Sequence, residues 1–89
     1  MNAPFSLETI SLDRLPRGTR GRVAAIAWEQ LDTAEANRLR HFGFDTGISI
    51  EALHSGPFGR DPIAIRVGRM NVAIRRRQAQ AVLVQPEAA

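Results

Sequence analysis

Three groups of residues could do chemistry. Arg75-Arg76-Arg77 is the only run of like charge in the chain. A guanidinium fork matches a carboxylate or phosphate bidentately, so the run suits a carboxylate-rich protein surface, a phosphate, or an anionic membrane face. The plainer reading is a solvated strand end. Phe58-Gly59-Arg60-Asp61-Pro62 forms the second group, at the tip of a long hairpin loop. Here Asp61 and Pro62 suit a recognition tip, with Phe58 able to enter a partner or pack back on its own domain, and they equally suit an Asx-type turn leading into an edge strand. The third group is His41 and His54. Neither belongs to a His-x-x-x-His or mixed His/carboxylate cluster, and a metal site needs several convergent ligands, so no metal site and no cofactor are expected.

Enzymatic chemistry finds no support. The chain has no cysteine nucleophile, no Gly-x-Ser-x-Gly elbow, no phosphate-cradling glycine loop ahead of a helix, and no carboxylate pair at a spacing that would oppose them. Trp28 reads as a residue at the rim of the core, and Met70 as a gap filler.

Charge and size narrow the class further. All 12 basic residues are arginine, against 9 acidic ones, for a net charge of +3. With no lysine, tyrosine or cysteine to titrate in the alkaline range, this modest excess drives the pI to about 11.3. The high pI is therefore a matter of composition, and the pull on polyanions is weak. Eighty-nine residues make one domain with a thin core, burying roughly 60–65% of its unfolded surface. The absence of cysteine fits a reducing compartment. The longest apolar run, Val23 to Trp28, is too short to span a bilayer, and the N-terminus lacks the features of a secretory signal. A cytoplasmic location is expected.

Local sequence predicts the elements that would position these groups. Leu12 and Leu15 ahead of Pro16-Arg17-Gly18 suggest one helical turn closed by a glycine turn, and Thr19 to Trp28 a first strand. Asp32 followed by Glu35 is a capping box, with Leu31 at the staple position. Ala36, Leu39 and Phe42 then recur at helical spacing, and Arg38, Arg40 and His41 sit in the last turn, where the helix dipole favours cations. Gly43 can stop that helix in a Schellman cap, with Phe44 folding back on Leu39. Gly47 turns the chain into strand periodicity. Ile48 and Ile50, then Ile63, Ile65 and Val67, then Val72 and Ile74, then Val82 and Val84 mark four strands. Gly68-Arg69 is a tight hairpin, Arg76 to Ala79 a helical turn, and Gly18, Gly43, Gly47 and Pro62 are structural turn positions. The expected fold is mainly β: a small five-stranded barrel with one inserted α-helix and short helical turns, since an open sheet of this size would leave edges and one apolar face in water. Residues 1–10 would be an N-terminal extension, 11–85 the barrel and 86–89 a tail.

Four landmarks in this order resemble the FeoA family of bacterial ferrous iron transport: Leu12-x-x-Leu15-Pro16-x-Gly18, Arg38-Leu39-x-x-Phe42-Gly43-Phe44-x-x-Gly47, Gly59-x-Asp61-Pro62-Ile63 and Ala73-Ile74-Arg75-Arg76-x-x-Ala79. The sequence departs from that pattern in placing Arg60 between Gly59 and Asp61. The resemblance implies an SH3-like barrel without chemistry of its own that assists FeoB, a membrane permease with a cytosolic GTP-binding domain, in moving Fe(II) inward. On that reading Phe58, Gly59, Arg60, Asp61, Arg75 and Arg76 are the expected contact residues, and the membrane is met only through the permease. The same module resembles the C-terminal SH3-like domain of metal-dependent repressors, which leaves a stand-alone regulatory domain as one alternative. A small nucleic-acid-binding barrel is another, although few aromatics fall on the strands and no nucleic acid partner is expected. A free sheet edge leaves a homodimer open.

Overall fold

A capping box starts the helix as its sequence demands. The computed structural model describes residues 8–55 and 61–87, and in it helix α1 runs Thr33–His41 with Asp32 as its N-cap. Glu35 N–H donates to Asp32 Oδ1 at 2.8 Å, and Asp32 N–H donates to Glu35 Oε1 at 3.1 Å, so two otherwise unpaired donors are satisfied reciprocally. At the other end Gly43 takes φ +97°, Phe44 N–H reaches the Leu39 carbonyl at 3.0 Å and Gly43 N–H the Arg40 carbonyl at 3.0 Å. This is a complete Schellman cap. It folds Phe44, 2% exposed, into the core beside Leu39.

The remaining elements are strands and short turns. Strand β1 spans Ile10–Ser11, followed by a 3-10 turn at Leu12–Arg14; β2 spans Arg20–Ile26, followed by a 3-10 turn at Trp28–Gln30. After α1 come β3 (Ser49–Ser55), β4 (Ile63–Val67), β5 (Met70–Ile74), helix α2 (Arg76–Ala79) and β6 (Val82–Pro86). All pair antiparallel in one sheet of order β1-β6-β2-β3-β4-β5. Register shifts between Val23 and Ala25 in β2 and between Ala52 and His54 in β3 bend the sheet on itself, as bulges do. No ladder joins β1 to β5 among the described residues; α2, which follows β5, packs on the 3-10 turn that follows β1. Alternate strand positions Val23, Ile50, Ile65, Ile74, Val82 and Val84 meet Leu12 of the 3-10 turn and Leu39 of α1 in one core.

Three expectations need correction. The sheet has six strands rather than five, because Ile10 and Ser11 pair with Val84 and Leu83; a two-residue strand is too short to carry a periodic signal. The strand expected over Thr19 to Trp28 is β2, which stops at Ile26, and Trp28 opens the turn after it. Met70 does not fill a gap: it is 47% exposed, at the end of the β4–β5 ladder next to the hairpin turn.

Gly21 passed unremarked in the sequence pattern, yet β2 cannot pair with β6 without it. A Cβ there would lie 2.6 Å from Val84 Cγ1 and 2.7 Å from the Gln85 carbonyl oxygen. The constraint is close backbone approach rather than an unusual φ.

Candidate functional site

The three consecutive arginines diverge as soon as β5 ends. Arg75 is the N-cap of α2; its N–H donates to Gln78 Oε1 at 3.0 Å while Gln78 N–H donates to the Arg75 carbonyl at 2.9 Å. Arg76 faces inward. Its N–H donates to Asp61 Oδ1 at 2.9 Å, and its guanidinium lies 3.9 Å from Asp13 Oδ2. Asp13 is 8% exposed at the side chain, and its Oδ1 is buried without a hydrogen-bond partner. Arg77 reaches back to α1 and pairs with Glu35 Oε2. Contact with Arg77 foremost, then the N–H of Asp32 and the Gln78 amide, holds the Glu35 carboxyl below its ordinary pKa, and Glu35 in turn raises that of Arg77.

Asp61 therefore serves the fold at least in part: its carboxylate ties the loop before β4 to the first turn of α2. Pro62 and Arg75 line one cleft of about 350 Å³, together with Ala73, Ile74, Gln78 and Arg38 from α1. The structure thus brings together Asp61 with Arg76, and Pro62 with Arg75. Phe58, Gly59 and Arg60 lie outside the described residues. Arg38 and Gln78 were not singled out by spacing, because the helix dipole already accounts for Arg38 and a lone glutamine carries no motif. Gly18, Gly43 and Gly47 adopt φ of +83°, +97° and +87°.

Two other surfaces close on themselves. The Arg40 guanidinium sits 4.2 Å above the Trp28 ring centroid, in a shallow recess with Phe44 and Asp45, so that indole is covered by its own chain. On the strands, Glu51 lies 3.7 Å from Arg20 and 3.8 Å from Arg66. His41 ends α1 with its ring 6.3 Å from that of Phe42, and His54 is exposed on β3. Among the described residues no three His, Asp or Glu side chains converge as metal ligands would. No helix of the described residues is long and apolar enough to cross a membrane.

Comparison with known proteins agrees with this architecture. The family model for the FeoA domain matches residues 10–86. Among solved structures, an iron uptake regulatory protein (FeoA) is 30% identical, with 91% of this chain and 100% of that one covered and a TM-score of 0.74. FeoA of Stenotrophomonas maltophilia, solved with zinc and put forward as a prokaryotic SH3 domain protein that activates ferrous iron transport, is 31% identical over 90% of this chain and 95% of that one, with a TM-score of 0.72. A manganese-dependent transcriptional repressor shares the fold alone, at 20% identity over 89% of this chain and 42% of its own, with a TM-score of 0.76. No curated protein sequence matches. The fold is SH3-like, and the chain belongs to the FeoA domain family of ferrous iron transport.

Proposed function

We propose that this chain is a non-enzymatic accessory protein of ferrous iron uptake, acting in the cytoplasm by docking on the GTP-binding region of an FeoB-type permease and modulating its nucleotide hydrolysis or its gate. Family membership supports the transport role. The observation that carries the docking role is the cluster formed where the loop before β4 meets the start of α2. There Asp61 and Arg76 lock the frame, Arg75 stays exposed, and residues 58–60 directly precede Asp61 in sequence. Loops on a stiff barrel are where binding residues collect. Among the described residues the polar side chains most withdrawn from solvent are held by neighbours: Gln78 is spent on Arg75 and Glu35, and Asp13 faces Arg76. The likeness to repressor domains extends to fold only.

Calorimetric titration of the full chain into the cytosolic domain of the permease, in nucleotide-free, GDP-bound and GTP-analogue states, tests the reading. Saturable binding in at least one state is expected. Heats indistinguishable from dilution in all three overturn it.

A further inference from the structure

We propose that the cleft between α1, the end of β5 and α2 receives a glutamate side chain from an acidic segment of the protein partner, its carboxylate gripped by Arg38 and Arg75. The inference rests on the reading that this chain docks on a protein, and it names the chemistry of that contact.

The argument begins with how the arginines are spent. Arg20 and Arg66 share Glu51, Arg76 faces Asp13, Arg77 holds Glu35, Arg22 donates to the Gly47 carbonyl at 3.1 Å and Arg40 lies over Trp28. Arg38 and Arg75 have no carboxylate partner among the described residues, and both line the same 350 Å³ cleft. The Arg38 guanidinium lies 5.3 Å from the Phe42 ring centroid, a contact that engages its face, and no hydrogen bond among the described residues takes up its N–H donors. Two like charges that border one recess repel each other, and an entering anion relieves that repulsion while accepting hydrogen bonds from both.

The cleft walls select among anions. Pro62 and Ala73, both exposed, contribute apolar surface beside the two arginines, so a ligand that has methylenes behind its charge gains more than a bare oxyanion does. Glutamate has that shape. The volume, at the small end of the range for ligand sites, accommodates a glutamate side chain. The net charge of +3 likewise gives little of the long-range pull on which polyanion binding depends.

The test is a titration of the isotopically labelled full chain with acetyl-triglutamate amide, read by nuclear magnetic resonance, beside acetyl-triglutamine amide, inorganic phosphate and vesicles of phosphatidylserine and phosphatidylcholine. We expect saturable shifts of the Arg38 and Arg75 side-chain Nε–H signals and of the Ala73 and Gln78 amides with triglutamate only. Arg38→Gln and Arg75→Gln should each weaken binding about tenfold, the loss of one charge-assisted contact. Arg14→Gln and Arg17→Gln, at exposed arginines outside the cleft, should leave it unchanged. The wild-type signals report on the cleft even if a variant folds poorly. No shift at Arg38 or Arg75, equal shifts with phosphate or triglutamine, Arg38- and Arg75-dependent vesicle binding, or equal weakening by the outside variants would each overturn the proposal. Permease binding that survives Arg38→Gln and Arg75→Gln intact sinks the cleft and leaves the docking reading standing. Peptide binding without permease binding does the reverse.

Discussion

The β2–β3–β4 face and the α1–α2 face use arginine in opposite ways. On the first, Arg20 and Arg66 both lie within 4 Å of Glu51, so one carboxylate engages two guanidinia across neighbouring strands. On the second, carboxylates take up Arg76 and Arg77, while Arg75 and Arg38 border a shared cleft without one. The same residue type is thus paired with a carboxylate on one surface and left without one at two positions on the other. Composition alone, twelve arginines and a high pI, does not separate the two.

Both faces depend on the β2–β6 seam, so the largest effect should come from breaking it. Gly21→Ala puts a Cβ within 2.7 Å of Gln85 backbone, and we expect a loss of about 2–3 kcal/mol, read by urea denaturation. Arg76→Ala comes next, since it strips the guanidinium from a carboxylate that is 8% exposed. About 1–2 kcal/mol is expected, a fall in Tm of roughly 5–15 °C by calorimetry, with Asp13→Asn in the same chain restoring part of it. Arg75→Ala should leave Tm unchanged. A matching fall would erase the distinction between spent and open arginines. Glu51→Gln, on the strand face, removes only pairs whose arginines are exposed and should cost about 0.5 kcal/mol or less, with no effect on permease binding.

The smallest effect is a pH dependence. Glu35 has a lowered pKa in the folded protein, chiefly through Arg77. Its contribution is therefore fully present above the unfolded carboxylate value of about 4.3, and it fades as the pH falls through the lower folded value. Glu35→Gln keeps a side chain able to cap α1 but does not titrate. Urea midpoints measured from about pH 6 down to about pH 3 should fall less steeply for this variant than for the wild type. Parallel curves would mean the Glu35–Arg77 pair contributes nothing to stability.

How much was legible differs by element. The capping box at Asp32 and Glu35 and the stop at Gly43 could be read directly, because each is a contract between residues a few positions apart. Strand periodicity placed Ile63, Ile65, Val67, Val72 and Ile74 in the core for the same reason. The two-residue β1 lay below the reach of periodicity. Gly21 did too, since its role is set by Val84 and Gln85, more than sixty positions away.

By itself, then, the sequence determined where the helix starts and stops, which side of each long strand is apolar, and that arginine carries all the positive charge. Only the tertiary structure decided which arginines are spent. The carboxylate that faces the Arg76 guanidinium, Asp13, is more than sixty positions away, that of Arg77 at Glu35 is 42 away, and the cleft that unites Arg38 with Arg75 spans α1 and the end of β5. A charge finds its partner through space, and local sequence rules reach only as far as the hydrogen bonds of a single turn.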